Sequence, residues 1–343
     1  MKAKNSLAAP VSLVTGGAGF IGSHVAENAL NLGHKVVVLD DLSGGFERNL
    51  PKGVIFVKGS VNDVSLLDKL FSDYKFDYVY HLAAYAAEGL SHFIRNFNYT
   101  NNLIGSVNLI NQSVKHNAKR FVFTSSIAVY GENVTPMVET LTPSPEDPYG
   151  ISKYAVELDL KAAHKMFGLE YTIFRPHNVY GPKQNHGDSY RNVLGIFINQ
   201  IFKKQPITIF GDGTQTRAFS YIDDVAPYIA RCVQMSSTVN EIYNIGADKP
   251  YTILELSNEI FNAMGKNYGI NFLPERNEVK HAFSDHSKAR KAFKMRKAVS
   301  LCEGINKMVE WSKEIGEMQP TVFNNIEIES NMPKSWAALT AKK

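Results

Sequence analysis

Cysteine is nearly absent from this chain. Its 343 residues hold two, Cys232 and Cys302, far apart and with no Cys or His at metal-ligand spacing. That excludes a disulfide framework, leaves no expected metal site, and fits a reducing, cytoplasmic setting. Charge of one sign is also missing. Lys+Arg number 37 against 33 Asp+Glu, a formal net charge of +4, and the charges are interspersed. Nothing forms the dense basic stripe that a nucleic-acid binder needs, so no nucleic-acid partner is expected. No apolar run approaches the ~18 residues of a membrane span. The N-terminus carries two lysines but no uninterrupted apolar stretch before Gly16 and Gly17, so neither a secretory signal nor a membrane partner is expected. Internal repeats and low-complexity segments are lacking as well. What is present is ample core material: 44% of residues are hydrophobic and 20% charged. Disorder is thereby excluded, and the length suggests about two domain-sized units.

The first half alternates short apolar runs with helical patterns. Residues 11–15, 35–39, 54–58, 77–83, 120–125 and 170–175 read as strands; 20–32, 93–117 and 149–167 read as helical. Continuous apolar strands between helices require a parallel sheet covered on both faces, and right-handed crossovers make it doubly wound. After Pro176 the texture changes. Gly-, Asn- and Gln-containing loops (181–192, 211–216) separate helical stretches at 193–203, 223–234 and 253–264, while 242–245 still reads as a sheet strand. The expectation is an α/β chain with a doubly wound domain over 1–176, later strands interleaved from about 215–246, a smaller α/β substrate-binding lobe mainly over 177–316, and a tail over 317–343. The end of that tail, 332–336, either docks or is free.

The strongest local signal is Thr15-Gly16-Gly17-Ala18-Gly19-Phe20-Ile21-Gly22, between a predicted strand and a predicted helix. Gly16 and Gly17 allow a tight turn, Gly19 lets the backbone approach a pyrophosphate, and Gly22 lets the helix pack on the strand. The helix N-terminus then faces the phosphates. The next strand ends in Asp40, at the offset of a carboxylate that binds an adenosine ribose. Asp41 follows, with no adjacent Arg. An acid here repels a 2′-phosphate, so the expected cofactor is NAD rather than NADP. Asp41 itself reads either as part of that contact or as a solvated loop acid.

A second signal is Tyr149-Gly150-Ile151-Ser152-Lys153, after the Pro-rich loop 142–148. Tyr149 and Lys153 are four apart and share a helical face. A phenol ionises near pH ~10 unaided. A neighbouring ammonium and a helix N-terminus stabilise the phenolate, so Lys153 is expected to acidify Tyr149 into a general base. Ser125 and Ser126 end a predicted central strand, where ligands bind in open α/β sheets. One hydroxyl there can hold a substrate oxygen while Tyr149 takes its proton; the other then makes a strand-end hydrogen bond.

Taken together, Thr15–Gly22, Asp40, His81-Leu82-Ala83-Ala84, Thr124-Ser125-Ser126, Tyr149-x-x-x-Lys153, Arg175-Pro176-His177-Asn178-Val179-Tyr180-Gly181 and Gly211-Asp212-Gly213 resemble the extended short-chain dehydrogenase/reductases, in their NAD-dependent epimerase/dehydratase branch. The match runs over 11–288. The resemblance implies a Rossmann-type fold, NAD as cofactor and a nucleotide-sugar substrate. It implies a catalytic trio of Ser126, Tyr149 and Lys153. It puts cofactor contacts at Gly16, Gly19, Phe20, Ile21, Gly22, Asp40, Asp41, Ser43, Ser60, Val61, Leu82, Ala83, Ala84, Ser125, Tyr149 and Lys153. Substrate contacts would be Ser126, Tyr149, Asn178, Arg217, Arg276 and Glu278, the arginines through guanidinium–phosphate pairing. A homodimer through the helices 93–117 and 149–167 is implied too. The sequence departs from the family at three places. Glu278 stands where relatives usually carry Asp. The adenine-reading Asp is replaced by Ser60, with Asp63 a candidate stand-in. A lysine that some epimerases place after 81–84 is missing, Tyr85 and Ala86 following instead.

Within the branch, the resemblance also separates reactions. All begin by oxidising C4 of the sugar. Dehydratases add an Asp-Glu pair directly after the catalytic hydroxyl residue, and decarboxylases usually carry Glu at the second of those positions. Here the pair is Ile127-Ala128, which cannot transfer protons. The expected reaction is therefore C4 epimerisation of a UDP-hexose, the uridine coming from the family alone. A uronate or N-acetylhexosamine epimerase, a dehydratase, a net dehydrogenase or reductase, and a non-catalytic NAD-binding regulator are the competing readings. His81 and His177 read as packed core histidines, and 88–91 with 190–192 as walls of the sugar pocket. There Arg191 faces a uronate carboxylate, a phosphate or solvent.

Overall fold

The computed structural model describes residues 9–275 and 279–340. Its centre is a sheet of seven strands: β1 (Val11–Thr15), β2 (Lys35–Asp40), β3 (Ile55–Lys58), β4 (Tyr78–His81), β5 (Arg120–Thr124), β6 (Tyr171–Pro176) and a late strand, Glu241–Ile245. The spatial order is β3-β2-β1-β4-β5-β6 and then the late strand, every neighbour parallel. Strands β1, β2 and β5 are buried along nearly their whole length, so both faces must be covered. The first six helices are α1 (Phe20–Asn31), α2 (Val64–Tyr74), α3 (Glu88–Ser91), α4 (Arg95–Tyr99), α5 (Gly105–Lys115) and α6 (Pro148–Phe167). One face packs Leu13, Val37, Val79 and Phe121 against Phe71 of α2, Leu109 of α5 and Leu160 of α6. The other packs Val14, Val38, Tyr80 and Val122 against Val25 and Ala29 of α1 and the helix Ala226–Arg231. This is the doubly wound, Rossmann-type arrangement. The order reverses between β1 and β4, which opens a crevice at their carboxyl ends.

Two helical stretches differ from the sequence expectation. The run 93–117 is α4 and α5 joined by a π-helical turn, Thr100–Ile104. Asn102 in that turn uses its amide on Tyr85, accepting from the backbone N–H at 2.8 Å and donating to the carbonyl at 3.1 Å. The wider turn thus fixes the loop after β4. The run 223–234 is broken because Pro227 suits only a helix start, so Ala226–Arg231 is flanked by tight 3-10 turns.

Beyond the sheet, the strand Thr216–Ala218 lies between Pro250–Thr252 and His281–Ala282 and carries Arg217 to the crevice. The helix Ile253–Met264 begins with a reciprocal cap between Thr252 and Glu255. The tail docks: Lys334–Thr340 is helical and Trp336 is buried. Among the described residues no helix is long and apolar enough to cross a membrane.

Candidate active site

One cavity of about 1060 Å³ occupies the crevice. It is bordered by Gly16, Gly19, Phe20, Ile21 and Gly22 of the glycine turn and by Asp40, Asp41 and Ser43 after β2. Ser60 and Val61 follow β3, and Leu82, Ala83 and Ala84 follow β4. Ser125, Ser126, Tyr149, Lys153, Asn178 and Arg217 complete the set. Arg276 and Glu278 lie outside the described residues.

The glycine turn has the shape a pyrophosphate needs. Gly16 has φ +70°, and a Cβ there would come within 2.7 Å of the Ala83 nitrogen. At Gly22 a Cβ would fall on the Gly16 carbonyl oxygen, so α1 can approach β1 only without one. No acidic side chain occupies the first turn of α1, and its N-terminal N–H groups face the crevice. Asp40 is held rigidly: Oδ2 accepts from the Ala18 N–H at 2.9 Å and Oδ1 from the Leu42 N–H at 2.8 Å. Burial raises its pKa while those N–H groups lower it. Each oxygen keeps a lone pair for a ribose hydroxyl, whereas a 2′-phosphate would meet a buried carboxylate. These residues fit NAD. Asp41 accepts from the Ser43 N–H at 2.9 Å, which shapes the loop. Asp63 caps α2, Oδ1 accepting from the Leu66 N–H at 2.9 Å, and is not among the residues bordering the cavity.

Position on α6 determines the trio's geometry. Asp147 caps that helix, accepting from the Gly150 N–H at 2.9 Å, and Pro148 opens its first turn. Tyr149 and Lys153 are thereby turned inward, both buried. The Tyr149 backbone N–H donates to Ser91 Oγ of α3 at 3.2 Å. Ser126 Oγ accepts from the Ala128 N–H at 3.1 Å and acts on the Tyr149 phenol to favour its ionisation. Lys153 Nζ donates to the Thr124 carbonyl at 2.8 Å and lies 4.8 Å over the Phe123 ring.

Burial dominates the electrostatics of Tyr149 and Lys153. Burial pushes the Tyr149 phenol well above its ordinary range, and the carboxylates of Glu88 and Asp147 push it further. The Ser126 hydroxyl and the Arg191 guanidinium act downward. Lys153 is itself pushed down to about 7 by burial, against the attraction of Glu157, so near neutral pH it is only partly charged. Spacing on a helix put the two groups on one face. Packing places Lys153 Nζ 5.8 Å from the Tyr149 ring centroid and adds Arg191 as a further cation acting on the phenol.

Arg191 was legible only as a pocket-wall residue. Its Nε donates to Asp188 Oδ2 at 2.6 Å, and its guanidinium lies 4.8 Å over the Tyr85 ring. Ser125 proves to be the strand-end hydroxyl: it donates to Glu157 Oε1 at 2.6 Å. Behind it Glu157 and Arg175 form a fully buried bidentate pair at 2.9 and 2.5 Å, and Arg175 also donates to the Tyr130 hydroxyl at 2.7 Å. This network locks the base of the site, and the only hint of it in the sequence was Arg175 beside Pro176. His81 bridges Thr15 and Ser106 at 2.7 and 2.8 Å. Burial and the Lys153 charge push it down to about 3, so it is a neutral core histidine.

Asn178 has φ +38° and donates to the Ala218 carbonyl at 3.3 Å. His177 accepts from or donates to His286 at 2.9 Å and is buried. Arg217 donates to the carbonyls of Thr216 at 2.9 Å, Lys280 at 2.8 Å and Val279 at 2.5 Å, which fixes the guanidinium at the cavity's edge.

Comparison with known proteins agrees with this geometry. The model of the NAD dependent epimerase/dehydratase family matches residues 12–246. A UDP-glucose 4-epimerase of Mycolicibacterium smegmatis is 33% identical over 309 residues, covering 88% of this chain and 97% of the relative. A UDP-glucuronate 4-epimerase of Thermodesulfobacterium geofontis is 31% identical, covering 88% and 96%. The crystal structure of a Thermotoga maritima UDP-glucose 4-epimerase with UDP-glucose superposes with a TM-score of 0.85 at 35% identity, covering 89% of this chain and 99% of that one. Both relatives are spanned almost completely by 88% of this chain, so roughly an eighth of it lies outside the match. An enzyme that works with NAD, this chain belongs to the NAD dependent epimerase/dehydratase family.

Proposed function

We propose that the protein is a nucleotide-sugar 4-epimerase acting on a UDP-hexose. The observation that carries this reading is the pairing of two features on one wall. Ser126 and Tyr149 both border the cavity, the Ser126 hydroxyl near enough to the phenol to favour its ionisation, and the two residues after Ser126, Ile127 and Ala128, border it without a group that can move a proton. A dehydratase or decarboxylase step needs an acid or base at that place.

When bound, NAD accepts the C4 hydride of the sugar and returns it. The chain supplies the rest. The glycine turn and the α1 N-terminus hold the pyrophosphate, and Asp40 and Lys153 hold ribose hydroxyls. Tyr149 takes the proton of the C4 hydroxyl as the carbon is oxidised, and gives it back on reduction. Ser126 holds the same oxygen in both steps, so the charge that develops there is never left unpaired. Asn178 and Arg217 hold the diphosphate while the 4-keto sugar turns its other face. Net change is inversion at C4, with no electrons gained or lost. Two further parts of the reading concern the setting. The unpaired Cys232 and Cys302 support a cytoplasmic location, and the exposed Ile151 and Leu158 on α6 support a homodimer.

The test is incubation with UDP-glucose, UDP-N-acetylglucosamine and UDP-glucuronate, with chromatography of the products. One or more should equilibrate with its C4 epimer without accumulation of NADH. Net NADH, or a 4-keto-6-deoxy product, overturns the reading.

A further inference from the structure

The tail from residue 317 lies across the crevice and is fastened at several points. The Thr321 N–H donates to the Gly187 carbonyl at 2.8 Å. The Glu327 carboxylate accepts from the N–H groups of Asn96 and Phe97 at 2.7 and 2.8 Å, on the first turn of α4. Phe323 packs its ring on Tyr85 and Phe97, with centroids 5.3 and 4.8 Å apart. Trp336, 4% exposed, stands edge-on to Tyr190 at 5.3 Å, and a Cβ on Gly89 would come within 3.1 Å of its indole.

These contacts fall on the side of the cavity where the sugar reacts. Gly89 and Ser91 belong to α3, whose Ser91 receives the Tyr149 N–H. Tyr85, under Phe323, carries the Arg191 guanidinium on its ring. The glycine turn and Ser60 border other parts of the cavity. The tail also reaches the cavity directly, through Pro320, Ser335 and Trp336. Ser335 Oγ is buried there with no hydrogen-bond partner among the described residues. A buried hydroxyl left unpaired is costly, and a polar group of a ligand would remove that cost. Aromatic rings with a few placed polar groups are the usual lining of a small-molecule site.

We propose that residues 317–340 form a fixed wall of the sugar site, in which Trp336 and Ser335 decide which hexose substituents are accepted. The proposal rests on the nucleotide-sugar reading above. Trp311 and Trp336 are the two tryptophans of the chain, and Trp311 does not border the cavity. In full-length W311F protein Trp336 is therefore the sole indole emitter. Titration with UDP-glucose or UDP-N-acetylglucosamine, at saturating NAD, should change its emission, and titration with UDP alone should not. No change with either sugar nucleotide, or the same change with UDP, overturns the wall. The second measurement is specificity. Trp336→Ala should raise kcat/KM for UDP-N-acetylglucosamine relative to UDP-glucose by about tenfold, the scale of a widened apolar pocket, with NAD affinity unchanged; an unchanged ratio overturns the assignment. Trp336→Phe should move it the same way by less, which guards against a variant that folds poorly. Protein whose Trp336 responds to sugar nucleotides but which epimerises none retains the wall and loses the proposed reaction.

Discussion

A phenol enclosed by protein resists ionisation, because its phenolate would have to give up water. Tyr149 is in that position, with Glu88 and Asp147 adding negative potential. For it to serve as a base, something must act in the opposite sense, and Arg191 is one cation that does. The guanidinium is pinned between Asp188 and the Tyr85 ring, so it cannot swing away as a surface arginine would. Removing it leaves the phenolate less stabilised and moves its ionisation to higher pH. Arg191→Gln should therefore shift the acidic limb of the kcat–pH profile upward and lower kcat at neutral pH by about tenfold, the scale on which one neighbouring charge moves an ionisation. Arg191→Lys, which keeps the charge, should stay near the original profile. Profiles measured on both variants decide the matter, and coincident curves for Gln and wild type would remove Arg191 from the account.

At the scale of elements, local chemistry that repeats along the chain was legible and chemistry made by packing was not. The glycine turn, the strand before it and Asp40 were readable because each is a short-range requirement: a turn, a close approach, an offset. Gly22 shows how strict that is. A methyl group there meets the Gly16 carbonyl oxygen, which is backbone and has no rotamer to yield. Gly22→Ala should tilt α1 off β1, cost about 1–3 kcal/mol as overpacking does, and weaken NAD binding more than tenfold; thermal unfolding and NAD titration report the two effects separately. By contrast, the π-helical turn at Thr100–Ile104, the Ser125–Glu157–Arg175 network and the docking of Trp336 join residues far apart in sequence. No periodicity announces them. Asp63 shows how one residue type supports two readings. A carboxylate three residues before an apolar run is as good a helix cap as it is a ligand, and the chain uses it as a cap.

The whole molecule gives α6 two tasks. Tyr149 and Lys153 point into the crevice, while Ile151 and Leu158, seven residues apart and so on one face, point to solvent at 40% and 47% exposure. Ile151 follows Tyr149 by two residues, about half a turn around the helix. Next to α6 lies the segment that contains the π-helical turn, where Ile104 is 50% exposed. Exposed large apolar side chains on two adjacent helices gain by being covered, at about 25 cal/mol per Å² of apolar area removed from water. A second copy related by a two-fold axis would present the same helices and cover both sets at once. Light scattering should then give a mass near twice the 38.2 kDa of the chain. Leu158→Glu, which places a charge on that face of α6, should give the monomer while leaving NAD affinity unchanged, since residue 158 is about two and a half turns from Tyr149 and does not border the cavity. Any loss of turnover in that monomer would then report that the partner's support of α6 steadies the catalytic tyrosine. A wild-type mass of one chain would mean instead that these side chains face water and that α6 serves the crevice alone.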